Sequence, residues 1–335
     1  MTQRLDGRID ADLGIAAALL RDGGLVAFPT ETVYGLGADG LDPAAVAGVF
    51  AAKGRPADNP LILHVASFEQ ALALWQASPE QLALARRLAD AFWPGPLTMV
   101  LPVRPETVPL GVTAGLDSVA VRMPADAIAL ALIERTGHPL AAPSANASGR
   151  PSPTTADHVL RTLDGRIDAV VDGGPTHVGL ESTVVDLRGA QVRVLREGGI
   201  ARAQIADVLG EAVAGPDPAG GGGEAVRAPG MRHRHYAPEG VSARIVPATV
   251  VHAAWTGATA VLCRAALAAA CEAELGAREA VLEVLPDDAQ GYARGLYAAL
   301  HRLEQAVVSD LLIERLPADD DWRAVRDRIE RAATG

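Results

Sequence analysis

The chain has 335 residues, 49% hydrophobic and 21% charged, with a mean hydropathy of +0.16, which excludes an intrinsically disordered protein. No apolar run reaches the ~18 residues of a membrane span, and residues 1–12 carry acids without an apolar stretch; Cys263 and Cys271 are too few for a disulfide framework or a cysteine-built zinc site, so the expected compartment is the cytoplasm. The net charge of −11 is spread evenly (17 basic against 22 acidic residues up to position 205, 13 against 19 beyond), without the basic excess of a nucleic-acid binder.

Residues 13–21 read as a short helix closed by Gly23-Gly24, and residues 25–28 as an apolar strand of the parallel-sheet kind. Asp42-Pro43 is a helix start, residues 44–52 supply the apolar body, and Lys53-Gly54 closes it with a cation and a C-cap glycine. A strand over 61–65 is followed by helices over 68–76 and 79–92, and then by the breaker Trp93-Pro94-Gly95-Pro96. Strands are expected over 97–101, 118–123 and 140–142, and helices over 125–135 and 155–163. Strands over 169–171, 183–187 and 192–195 complete an open α/β sheet. The Gly- and Pro-rich stretch 210–240 predicts a flexible linker or lid between a catalytic domain, 1–209, and a small α/β domain, 241–335. That second domain has strands over 243–246, 258–262 and 310–314, and helices over 264–275, 289–305 and 322–333.

Composition singles out a few residues. Of 30 basic side chains, 29 are arginine and one is Lys53; asparagine occurs only at Asn59 and Asn146. Codon bias accounts for the depletion but not for where the survivors sit. Residues 35–40 match GxGxxG formally, yet the helix starts only at Asp42, beyond the last glycine, which argues against a dinucleotide fingerprint. A P-loop is excluded, because the single lysine is followed by glycine. Instead, polar groups punctuate apolar segments. Alternation places His64 with Ile62 on one strand face, and Ser118 with Arg122 on another. Thr30-Glu31-Thr32 follows the first strand, the hydroxyl-rich turn 144–152 follows residues 140–143, and Ser182 and Arg196 come from later strands. Each has an ordinary structural explanation. Together, a lysine, several arginines and hydroxyls at strand ends form a phosphate-binding inventory.

Lys53-x-Arg55 with Ser144-x-Asn146, the run from Phe28 to Gly37, Trp93-Pro94-Gly95-Pro96-Leu97-Thr98 and Ala142-Pro143-Ser144-Ala145-Asn146 resemble the motifs of the YrdC-like family. Residues 228–238 and the second domain are similar to its long, two-domain branch, the L-threonylcarbamoyladenylate synthases. The resemblance implies a YrdC-like open, twisted mixed sheet with helices, plus a smaller Rossmann-like C-terminal domain. It implies a nucleotidyltransferase that makes threonylcarbamoyl-AMP and pyrophosphate from L-threonine, bicarbonate or CO2, and ATP. The product would pass to a tRNA threonylcarbamoyl transferase, and direct tRNA binding is not expected. Carried over by motif, threonine would meet Thr32, His64, Arg122, Ala142 and Ser182. ATP would meet Lys53, Arg55, Asn59, Ser118, Ser144, Asn146, Ser152, Arg196 and Tyr236, with Lys53 and Arg55 as the catalytic cations. Ser118 stands where the family commonly has threonine and keeps the hydroxyl. Mg2+ is expected with the triphosphate; no ligand set for it can be read from the sequence. No Ser-His-Asp or Cys-His arrangement stands out, consistent with catalysis by positioning and cationic stabilisation. Two other classes compete. A carbamoyltransferase on the same fold would bring extra modules, such as a cysteine cluster, that this chain lacks. An RNA-binding factor would need a basic surface.

Overall fold

The structure, a computed structural model, describes residues 1–216, 236, 240–249, 259–275, 280–306 and 308–333. These residues fall into two units. One comprises Met1–Ser148, Pro153–His177 and residues 181–216; the other comprises Gly149–Ser152, Val178–Leu180 and the described residues from Tyr236 onward. Of the expected linker, residues 217–235 and 237–239 lie outside the described residues.

The first unit opens with β1 (Gln3–Asp6), α1 (Asp10–Arg21), β2 (Val26–Phe28) and β3 (Gly35–Asp39). The helix α2 (Pro43–Lys53) starts as the sequence dictates. The Asp42 carboxylate accepts from Ala44 N–H, Pro43 occupies the first turn, and Gly54 ends the helix at φ 59°, a left-handed conformation that suits glycine. Then come β4 (Ile62–His64), α3 (Phe68–Leu74), α4 (Pro79–Phe92), β5 (Leu97–Pro102), α5 (Leu110–Thr113) and β6 (Ser118–Arg122). Ser67 caps α3, and Ser78 with Gln81 forms a reciprocal capping box on α4. The rest is α6 (Ala127–Thr136), β7 (Leu140–Ala141), α7 (Ala156–Leu163), β8 (Ala169–Asp172), β9 (Thr183–Asp186), β10 (Arg193–Arg196) and α8 (Arg202–Leu209).

These strands form one ten-stranded mixed sheet in the order β1-β8-β2-β3-β7-β4-β6-β5-β9-β10. Alternation decides what each face does. Leu61, Leu63 and Val65 of the β4 segment, Val119 and Val121 of β6, and Leu97, Met99 and Leu101 of β5 enter the main core, with α2, α3, α4 and α7. On the opposite face, Val26 and Phe28 of β2 pack against α1 and α6. Farther along that second face lies a separate small apolar cluster of Ile62, Val100, Ala120, Val184 and Leu195.

The second unit holds β11 (Ser242–Val246), β12 (Thr259–Arg264), α9 (Ala265–Leu275), β13 (Ala280–Leu285), α10 (Ala289–Leu303), β14 (Asp310–Glu314), a 3-10 turn at Asp320–Trp322, and α11 (Arg323–Ala333). Its four strands are all parallel, in the order β11-β14-β12-β13. Arg264, read from sequence as the first residue of a helix, instead ends β12. Its backbone N–H and guanidinium hold the fully buried Glu314 carboxylate at 2.5–2.9 Å. Cys263 and Cys271 are buried neighbours in this core, and burial pushes the Cys263 thiol up to about 12. No helix among the described residues is long and apolar enough to cross a membrane.

Candidate functional site

The small apolar cluster is the floor of the site, and the polar residues that share its period of two form its rim. On β4 that pattern pairs Ile62 with His64, on β6 it places Ser118 and Arg122 on either side of Ala120, and on β5 it pairs Thr98 with Val100. Sheet register joins three of these in a row: His64 lies opposite Arg122, and Arg122 opposite Thr98.

Arg122 organises that row. Its Nε donates to the Gly95 carbonyl at 3.2 Å and its Nη1 to the Thr32 hydroxyl at 2.9 Å. Its Nη2 lies 2.6 Å from Glu31 Oε1, an ion pair without hydrogen-bond alignment. The loop bearing Thr32 is folded by Thr30. Thr30 Oγ1 accepts from the Thr32 and Val33 N–H groups and donates to the Val33 carbonyl at 2.7 Å. With that proton spent, the Thr32 hydroxyl is the donor in its 2.7 Å contact with Thr30 Oγ1. His64 is buried beside Arg122, and its Nδ1 has no hydrogen-bond partner among the described residues. Desolvation, then the Arg122 charge, pushes its pKa down to about 3, so the ring is neutral at physiological pH. At the far side, Ser182 Oγ lies 2.7 Å from Thr98 Oγ1 and accepts from Arg196 Nη2 at 3.1 Å. Arg196 also donates to the Ser182 carbonyl. Ala142, just past β7, is buried and donates its N–H to Ile62 O at 3.1 Å.

A second group gathers before β4 and after β7. Lys53 Nζ donates to the carbonyls of Ser144 and Asn146, both at 2.5 Å, and the Lys53 carbonyl accepts from Ser148 N–H at 2.9 Å. Burial, then the Arg55 charge, holds the Lys53 pKa well below the usual lysine range. Arg55 donates to the carbonyls of Asn59 and Pro60 at 3.2 and 2.8 Å, and the buried Asn59 Oδ1 has no hydrogen-bond partner among the described residues. Asn146 donates its amide to Ala147 O.

The structure therefore brings together Thr32, His64, Arg122, Ser182 and Arg196 around one end of the floor, and Lys53, Ser144 and Asn146 in one loop clamp. Ser118 is not in either group. It lies four residues along β6 from Arg122, roughly 13 Å at the ~3.3 Å rise of a strand, where its Oγ accepts from Arg188 at 3.0 Å. Ser152 and Tyr236 belong to the second unit. There the Ser152 carbonyl contacts His301 Nε2 at 3.2 Å, and the Tyr236 ring lies 5.4 Å from Tyr297 and 5.5 Å below the Arg328 guanidinium. Two rim residues, Glu31 and Thr98, stand in segments the sequence singles out but were assigned no role there. The signal was strongest at Thr98, a hydroxyl in the buried apolar strand β5. Among the described residues, no group of three or more His, Cys, Asp or Glu side chains could hold a metal ion.

Residues 18–198 match the Sua5/YciO/YrdC family model described as "Telomere recombination", and residues 200–334 match that of the threonylcarbamoyl-AMP synthase C-terminal domain. The chain belongs to the Sua5/YciO/YrdC family, in the two-domain form of the threonylcarbamoyl-AMP synthases. It is 42% identical to the threonylcarbamoyl-AMP synthase of Bacillus subtilis over 97% of its own length and 94% of the relative's. To that of Pyrococcus abyssi it is 56% identical over 67% of its own length and 65% of the relative's. A crystal structure of P. abyssi Sua5 complexed with L-threonine superposes with a TM-score of 0.87 at 42% identity, covering 99% of this chain and 97% of that one. Escherichia coli YciO, at 23% identity and a TM-score of 0.53 over 59% of this chain and 96% of that one, shares the fold.

Proposed function

We propose that this site condenses L-threonine, bicarbonate or CO2, and ATP into threonylcarbamoyl-AMP and pyrophosphate, as a cytoplasmic nucleotidyltransferase whose product feeds a tRNA threonylcarbamoyl transferase. The observation that carries this reading is the division of the polar rim. One end of the apolar floor gathers Thr32, His64, Arg122 and Ser182, the set proposed for threonine together with the Ala142 backbone. Lys53, Arg55, Asn59, Ser144 and Asn146 are proposed for ATP, with Ser118 along the floor and Arg196 beside Ser182. Ser152 and Tyr236 are assigned to ATP from motif resemblance alone.

The chemistry requires no protein nucleophile. The threonine amine adds to CO2 and loses a proton, or displaces water from bicarbonate, to give a carbamate, whose oxygen attacks the α-phosphorus while pyrophosphate leaves. The residues bind, orient and stabilise charge on the phosphates. Mg2+ would be held mainly by the triphosphate and water, because the described residues offer no carboxylate set for it. Pyrophosphate release measured with each substrate omitted in turn tests the reading. Release should require threonine, bicarbonate and ATP together, with labelled bicarbonate entering the adenylate. Release that proceeds without threonine would sink it.

A further inference from the structure

Glu31 is a buried carboxylate without a hydrogen bond. It is 8% exposed, and neither Oε1 nor Oε2 accepts a hydrogen bond from any described residue. Arg122 Nη2 lies 2.6 Å from Oε1, and that nitrogen likewise makes no aligned hydrogen bond with a described residue. Buried polar groups are normally satisfied, and a desolvated charge without donors is costly. An arginine and a carboxylate held side by side, each with valences left open, form a site shaped for a ligand that carries both charges.

The substrate of the proposed reaction is such a ligand. An α-amino acid presents a carboxylate and an ammonium on adjacent atoms. The unused Arg122 N–H groups match the first, and the open Glu31 oxygens match the second. The surrounding charge points the same way. Asp126, the N-cap of α6, acts electrostatically on Glu31, and His64 beside Arg122 is neutral. The Asp126 charge adds to the negative potential at Glu31, and the neutral His64 adds no positive charge beside Arg122. We propose that Glu31 is the specificity-determining residue that receives the substrate's free ammonium, pairing with Arg122 as a clamp for the zwitterion. This rests on the functional reading above and adds a residue outside the assigned threonine set. The carbamate has no ammonium, so Glu31 favours the unmodified amino acid over the next species in the reaction.

The test is a charge-deletion cycle between protein and ligand, read by calorimetric titration of the full chain. The ligands are L-threonine and the 2,3-dihydroxybutanoate of matching stereochemistry, in which a hydroxyl replaces the ammonium. The wild type should prefer threonine by about thirtyfold, the scale of one hydrogen bond to a charged group. Glu31→Gln should bring the two ligands to within about threefold of each other, while Glu31→Asp keeps most of the preference. ATP affinity and the unfolding midpoint serve as folding controls. A wild type that binds the hydroxy acid as tightly as threonine overturns the inference without any variant, as does an unchanged ratio in Glu31→Gln. If the wild type binds no threonine at all, the functional reading fails with it; threonine binding with an unchanged ratio overturns this inference alone.

Discussion

Lys53 holds two backbone carbonyls of the loop after β7 at 2.5 Å, and even a neutral amine keeps the two N–H groups this takes. The single lysine of the chain thus shapes the Ser144–Asn146 turn from the end of α2. A guanidinium is planar, wide and less adaptable. Lys53→Arg is expected to cost roughly 2–4 kcal/mol of transition-state stabilisation, read as kcat/KM for threonylcarbamoyl-AMP formation. Turnover within about threefold of wild type would leave Lys53 as an ordinary helix-end charge. Lys53→Met, which removes the ammonium donor from both carbonyls and leaves the Asn146 N–H on Ser144 O, should also destabilise the fold by about 1–3 kcal/mol in urea unfolding.

His64 sets a pH dependence of stability. Its pKa lies near 3 in the folded chain and near 6.5 in the unfolded one. Between those values the unfolded state binds the extra proton, so stability falls as the pH drops below about 6.5. From pH 7 to pH 5 this group alone should remove about 2 kcal/mol. His64→Leu should flatten that part of the profile, measured as denaturant unfolding at the two pH values. An unchanged slope would mean that His64 titrates normally in the fold.

At the scale of elements, the glycine run that resembles a dinucleotide motif is the strand β3, antiparallel to both β2 and β7. A β-carbon at Gly37 would stand 2.5 Å from the Phe28 ring, and one at Gly35 would stand 3.2 Å from the Ala142 β-carbon. The glycines let neighbouring side chains close over the sheet; they do not open a helix toward a phosphate. Gly37→Ala is expected to cost roughly 1–3 kcal/mol of stability by overpacking. Phe28→Leu should restore part of it in the double variant, and additive losses in denaturant titrations would argue against the contact. Helix ends were the most legible elements. Asp42, Ser78 and Thr155 each cap the helix expected beside them. The strands β1, β3 and β13 and the helices α5 and α8 were not anticipated. β3 carries two glycines where a strand should show bulky residues, and α8 starts at Ala201, with Gln204 reaching back to its N–H in place of a polar cap.

At the scale of the molecule, the two units do not divide at one point in the sequence. Residues 149–152 and 178–180 belong with the second unit, where Arg150 pairs with Glu304 at 3.4 Å and Gly179 packs against the backbone of Arg294. A chain ending at residue 216 removes α10 and these partners. Amide exchange at 149–152 and 178–180 should then quicken by about tenfold or more relative to the full chain. Unchanged protection would mean that the first unit alone holds these segments.

The sequence by itself determined the period-two pattern that sends Leu61, Leu63 and Val65 to the core and leaves Ile62 and His64 on the other face. It determined the caps, the all-apolar strands and the motifs whose family the chain shares. Only the tertiary structure decided which polar residues meet. Glu31, Thr98 and Arg122 are far apart in sequence and come together through the register of β6 against β5 and the path of the loop between β2 and β3. Register depends on pairings between distant strands, which local periodicity cannot encode. For the same reason Lys53, a helix-end cation in the sequence, became a buried clamp on a loop more than ninety residues away.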